Sequence, residues 1–106
     1  MIITIKDKQE FDTVIASNDC VVVDFFAEWC GPCKRMNSVF EDVVSDMPNI
    51  TIAKIDVDQH GALAEQYNVR SLPSFFLFQK GQQTSTKIGS MDKSTFIQWI
   101  KDQGAA

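Results

Sequence analysis

Two cysteines, Cys30 and Cys33, enclose the dipeptide Gly31-Pro32. Residues three apart share a face of a helical turn, so the two sulfur atoms can meet and form a reversible disulfide. The other chemistry open to this spacing is half of a zinc site. Tetrahedral zinc would need two more ligands, and only Cys20 and His60 remain, both far away in sequence. The pattern favours redox chemistry, with a zinc module as an alternative.

The elements around this pair predict where it lies. The run from Val21 to Phe26 is apolar on both faces, as in a central strand of a parallel sheet, and a helix is predicted to begin near Gly31. Cys30 then lies at a helix N-terminus, where free N–H groups stabilise an anion, so we expect its pKa below the usual ~8.5. Pro32 is tolerated in the first turn. These expectations make Cys30 the nucleophile.

Asp24 is the one charged residue within that apolar strand. Burial disfavours a carboxylate, so its pKa should be raised. The alternative is a buried acid with ordinary hydrogen bonds, or an edge position that faces water.

The whole chain predicts an α/β fold of βαβαβαββα order, with a mixed sheet and helices on both faces. Strands are predicted at 2–5, 21–26, 50–57, 74–78 and 84–88. Asp7 and Glu10 predict a capping box for the first helix, and Asp92 caps a last helix that buries Phe96, Ile97 and Ile100. Residues 103–106 are expected to fray.

Composition and charge argue against several classes of protein. The 106 residues suit a single domain, 1–106, and the net charge of −4 leaves no basic stripe for nucleic acid. No apolar run approaches the roughly 20 residues of a membrane span, and no signal peptide is visible. Three cysteines do not make a disulfide framework. We therefore expect a cytoplasmic protein that uses cysteine for chemistry.

The segment from Phe25 to Lys34, Phe-Phe-Ala-Glu-Trp-Cys-Gly-Pro-Cys-Lys, resembles the active-site signature of the thioredoxin family. The resemblance extends over nearly the whole chain, through residues 54–58, 69–74, 80–81 and Gly89. Two departures are Phe26, where many members have a second Trp, and Cys20 at the start of the central strand, which we expect to be a small buried apolar residue.

The resemblance implies the thioredoxin fold and a protein disulfide reductase. Cys30 would attack a target disulfide and Cys33 would resolve the mixed disulfide. Asp24 would be the buried acid that deprotonates Cys33, with Lys54 as its charged partner. A solvated strand residue is the alternative for Lys54.

Target docking is implied for a flat apolar surface around the motif. Its residues in this sequence are Trp29, Gly31, Pro32, Leu72, Pro73 and Gly89. The resemblance further implies a cis bond before Pro73, although proline also simply begins strands.

The expected partners are disulfide-containing proteins and a thioredoxin reductase, NADPH-dependent by resemblance. We expect a monomer with no bound cofactor or metal. Three alternatives remain: a disulfide-forming or isomerising domain, a non-enzymatic docking subunit, and the zinc module.

Overall fold

The computed structural model describes residues 1–105 and contains the predicted order of strands and helices. The elements are β1 (Ile2–Thr4), α1 (Lys8–Ser17), β2 (Cys20–Phe26), α2 (Gly31–Asp46), β3 (Thr51–Asp56), α3 (Gly61–Gln66), β4 (Ser74–Gln79), β5 (Gln82–Ile88) and α4 (Lys93–Asp102). None of the helices within residues 1–105 is long and apolar enough to cross a membrane.

The strands form one mixed sheet in the order β1-β3-β2-β4-β5. Strands β1, β3 and β2 are parallel to one another. Strand β4 runs antiparallel to β2 on one side and to β5 on the other. All seven residues of β2 are buried, which confirms it as the central strand. The mixed α/β sheet with helices on both faces is also confirmed.

Alternation along β2 divides its side chains between two cores, because successive side chains of a strand point to opposite faces. One core contains Val21, Val23 and Phe25 with residues of α1 and α3. The other contains Cys20 and Val22 with residues of α2 and α4. Asp24 and Phe26 follow the second set in register, so they share the sheet face that α2 covers.

The predicted helix starts are confirmed. The Asp7 side chain caps α1 by accepting the N–H of Glu10 at 2.8 Å, and Asp92 caps α4 through the N–H of Thr95 at 2.8 Å. The other half of the expected capping box differs, because the Glu10 carboxylate accepts the N–H of Lys6.

Two details of α4 differ from the prediction. Ile97 is only partly buried, whereas Trp99 is 4% exposed and packs beside Phe96. The helix does not end in a frayed tail within 103–105. Gly104, with φ of 74°, donates to the carbonyl of Lys101, and Ala105 donates to that of Ile100, so a Schellman-type turn closes the helix. Ala106 lies outside the described residues.

Candidate active site

The cysteine motif forms a tight junction between the central strand and α2. The N–H of Cys30 donates to the carbonyl of Ala27, so the chain turns immediately after β2. Cys30 is the N-cap of α2, and Pro32 lies in the first turn, where its missing N–H costs no helical hydrogen bond. The predicted position of Cys30 at a helix N-terminus is confirmed.

Cys30 and Cys33 are joined by a disulfide, with their Cα atoms 5.3 Å apart. The N–H of Cys33 donates to the Sγ of Cys30 at 3.2 Å. A free N–H of the first helical turn therefore points at the Cys30 sulfur, where it would stabilise negative charge.

The two cysteines line different cavities. Cys30 lines a groove of about 490 Å³ together with Trp29, Pro32 and Leu72. Cys33 instead lines a smaller, mainly polar cavity of about 160 Å³, whose wall includes Lys54 and Asn37. The disulfide thus separates an apolar groove from a polar cavity.

Asp24 lies on β2 beneath α2 and is completely buried. Within residues 1–105, neither of its carboxylate oxygens has a hydrogen-bond partner. Loss of solvation raises the pKa of Asp24 to about 7, and the positive charge of Lys54 opposes that rise. This carboxyl group can therefore gain and lose a proton near neutral pH.

Lys54 lies directly opposite Asp24 in the register of β2 and β3. Its ammonium nonetheless donates to the Oδ1 of Asn37 at 2.7 Å and sits 4.7 Å from the centre of the Phe26 ring. Among the described residues no ion pair joins it to Asp24. Lys54 acts on the carboxyl group through its charge, without direct contact.

Trp29 projects from the junction and is 72% exposed. Its Nε1 donates to the carboxylate of Asp58 at 2.9 Å. Asp58 is held in turn, because its N–H donates to the buried carboxylate of Asp56 at the end of β3. The largest exposed aromatic side chain at the site is therefore tethered.

The loop before β4 closes the groove. The bond between Leu72 and Pro73 is cis, and Leu72 packs against the small core cluster that contains both motif cysteines. The N–H of Gly89 donates to the carbonyl of Pro73 at 2.9 Å, and its φ of 96° suits glycine. The residues predicted for docking are thus gathered at one end of the sheet.

Cys20 and His60 lie apart from the disulfide. Cys20 is buried in the core beneath α2 and α4, as expected, and burial raises its pKa to about 11. His60 occupies the N-cap of α3, where its side chain makes no capping hydrogen bond. Within residues 1–105, no three His, Cys, Asp or Glu side chains are grouped to hold a metal ion.

Comparison with known proteins decides the family. The family model described as Thioredoxin matches residues 2–102, which is nearly the whole chain. This chain belongs to the thioredoxin family. With its cysteine pair joined as a disulfide, it is a thiol–disulfide oxidoreductase.

Individual thioredoxins agree with that assignment. The thioredoxin of Mycoplasmoides gallisepticum is 39% identical over 97 residues, covering 92% of this chain and 97% of that protein. A mutant thioredoxin from Halobacterium salinarum superposes with a TM-score of 0.89 at 35% identity, covering 96% of this chain and 89% of the other. The oxidised Plasmodium falciparum thioredoxin gives 0.87 at 35% identity, with both chains fully covered.

Sequence reasoning assigned no role to two residues that hydrogen-bond to side chains of the thioredoxin site: Asn37, which binds Lys54, and Asp58, which binds Trp29. Both had a detectable signal. Asn37 follows Cys33 by four positions and so shares its face of the helix. Asp58 follows the carboxyl end of β3, which is parallel to and next to the strand that leads into the motif.

Proposed function

We propose that the protein reduces disulfide bonds of other proteins, with Cys30 as the attacking thiol and Cys33 as the resolving thiol. The observation that carries this proposal is the division of the two cysteines between cavities. Cys30 lines the open apolar groove, where a substrate segment can approach. Cys33 lines the polar cavity and is less suited to meet a substrate.

In the first step, the Cys30 thiolate attacks one sulfur of the substrate disulfide. A bond forms between the Sγ of Cys30 and that sulfur, the substrate S–S bond breaks, and the departing thiolate takes a proton from solvent. The α2 N-terminus favours the thiolate, since the N–H of Cys33 points at the Cys30 sulfur.

In the second step, Cys33 attacks the Sγ of Cys30 and releases the second substrate sulfur as a thiolate. Formation of the Cys30–Cys33 disulfide oxidises the motif by two electrons, and these electrons reduce the substrate, whose second thiolate also takes up a proton, so that the substrate leaves as a dithiol. Cys33 must lose its proton first. We assign that proton to Asp24, because a carboxyl group with a pKa of about 7 is matched to general base catalysis near neutral pH. Lys54 tunes Asp24 through its charge.

Substrate docking is assigned to the apolar surface around the motif. The tethered indole of Trp29 and the side chain of Leu72 border the groove that Cys30 lines. Gly31, Pro32, Pro73 and Gly89 complete the surface. An apolar body with a polar edge, as in Trp29, suits a protein interface.

The oxidised protein needs a source of two electrons. We propose an NADPH-dependent thioredoxin reductase, from membership of the family, and no cofactor bound to the chain itself. A dithiol reductase requires a reducing compartment, which is consistent with the cytoplasm. We further propose that residues 1–106 act as one domain and as a monomer, since a single sheet with a core on each face unites all the elements.

Insulin reduction with dithiothreitol as electron source tests the proposal. Wild type and Cys20→Ser should accelerate precipitation of the insulin B chain, whereas Cys30→Ser and Cys33→Ser should not exceed dithiothreitol alone. Cys20→Ser is the matched control, because it removes a thiol outside the motif. A wild-type rate no higher than that of dithiothreitol alone would overturn the assignment.

A further inference from the structure

Asn37, an exposed residue of α2, forms a hydrogen bond with the side chain of Lys54 on β3. Its Oδ1 accepts the hydrogen bond of 2.7 Å from the Lys54 ammonium. Asn37 stands one helical turn after Cys33, and both residues line the small polar cavity. The contact therefore lies in the cavity that the resolving cysteine borders.

Lys54 forms no ion pair with Asp24 among the described residues, although the two residues are neighbours on adjacent strands. Lys54 lies opposite Asp24 in register, and Asp24 is wholly buried with both oxygens unpartnered. A buried carboxylate ordinarily attracts any cation within reach. The ammonium is instead held over the Phe26 ring, two residues further along β2, by Asn37.

We propose that Asn37 is a positioning residue that holds the Lys54 ammonium away from Asp24 and so keeps the carboxyl group free to accept the Cys33 proton. The inference deepens the proposed function and rests on the base role assigned there to Asp24. Asn37 acts through Lys54 and touches neither sulfur.

Few charged groups surround Asp24, so a change in its pKa can be traced to Lys54. On β3 the facing group is Lys54, and on β4 the residue opposite in register is the apolar Phe75. From α2 and the turn before it, Cys33, Lys34 and Glu28 border the same polar cavity as Lys54.

Among the described residues, Lys54 is the charged group that shifts the pKa of Asp24, and it lowers it. An ammonium that moved into contact would lower that pKa further, because an opposite charge within about 4–6 Å favours ionisation.

The direct test is the pKa of Asp24, measured in the reduced protein by NMR titration of its carboxyl carbon. Asn37→Ala should release Lys54 and lower the Asp24 pKa by about one pH unit or more. The fold should be retained, because Asn37 is exposed and alanine is favoured in helices. Asn37→Gln is the matched control, since its amide oxygen can still accept from the ammonium without adding a charge, and it should leave the Asp24 pKa near the wild-type value.

A second background shows whether Lys54 carries the effect. In Lys54→Met, adding Asn37→Ala should leave the Asp24 pKa unchanged. The inference is overturned if Asn37→Ala alone fails to lower the pKa, or if the same decrease appears in the Lys54→Met background.

A second measurement, the pH dependence of the rate at which the mixed disulfide is resolved, tests the role of Asn37 separately from the base role of Asp24. The acid limb of that profile should move to lower pH in Asn37→Ala by the same amount as the pKa. If the pKa falls and the rate profile does not move, the role of Asn37 stands and the base role of Asp24 is wrong.

Discussion

The indole Nε1 of Trp29 and the carboxylate of Asp58 are joined by a hydrogen bond of 2.9 Å across 29 positions of sequence. The bond fixes a side chain that is otherwise 72% exposed, at the rim of the groove lined by Cys30. A large aromatic side chain that is held in place loses less conformational entropy when a partner binds. We therefore expect Asp58 to hold Trp29 ready within the proposed docking surface without entering the chemistry.

Removal of this tether should weaken substrate binding selectively. Asp58→Ala should raise KM for a protein disulfide substrate about 2- to 10-fold, since immobilising a side chain on binding costs about 0.5–1.5 kcal/mol. The value of kcat should change little, because both cysteines remain in place. Steady-state kinetics with kcat and KM determined separately provide the measurement.

Asp58→Asn is the control for the tether, because its amide oxygen can still accept the indole proton. It should stay near the wild-type KM. Equal effects of Asp58→Asn and Asp58→Ala would show that the charge, and not the hydrogen bond, is responsible.

The buried Asp24 carboxyl group should make stability depend on pH. Its pKa is raised to about 7 in the folded protein, from an ordinary value of 3.8. The folded protein therefore binds this proton more tightly than the unfolded chain. Its contribution to the free energy of unfolding falls as the pH rises from about 4 to about 7, and the full cost remains above that range.

Asp24→Asn should abolish this contribution. The difference between variant and wild-type stability should grow by a few kcal/mol between pH 4 and pH 8, since each pKa unit corresponds to about 1.4 kcal/mol. Urea unfolding at a series of pH values measures it. A stability difference that stays constant across this pH range would mean that folding does not raise the pKa of Asp24.

Much of this fold follows from local patterns in the sequence. The apolar run of β2 indicated a strand buried on both faces, and Asp7 and Asp92 marked helix starts by their capping chemistry. The strands predicted at 74–78 and 84–88 form a hairpin, in which Lys80 and Gly81 adopt positive φ as a tight two-residue connection requires.

The differences arise where tertiary contacts decide the outcome. The pattern of α4 favoured Ile97 as a core residue, but Trp99 is buried, because its ring packs on Phe75 and Phe96 while its indole N–H reaches Ser85. The sequence also could not indicate the Lys54 hydrogen bond, since whether its ammonium binds Asp24 or Asn37 depends on side-chain positions across two elements.

The thiol of Cys20 should not react with alkylating reagents in the folded protein. Burial in the apolar core raises its pKa to about 11, so the reactive thiolate is scarce at neutral pH. Brief treatment of the reduced protein with iodoacetamide should label the motif and leave Cys20 unmodified until the chain is unfolded in urea. Peptide mass spectrometry identifies the labelled residues. Labelling of Cys20 at a rate similar to that of Cys30 would contradict the raised pKa of its thiol.

The most direct measurement of the central claim is the capture of the mixed disulfide. Cys33→Ser retains the attacking thiol and removes the resolving one, so it should accumulate a covalent complex with a disulfide-containing protein substrate. Mass spectrometry of the digested complex should locate the bond at Cys30, and Cys30→Ser should form little complex. If Cys30→Ser traps the substrate through Cys33 as much as Cys33→Ser traps it through Cys30, the assignment of Cys30 as nucleophile is wrong.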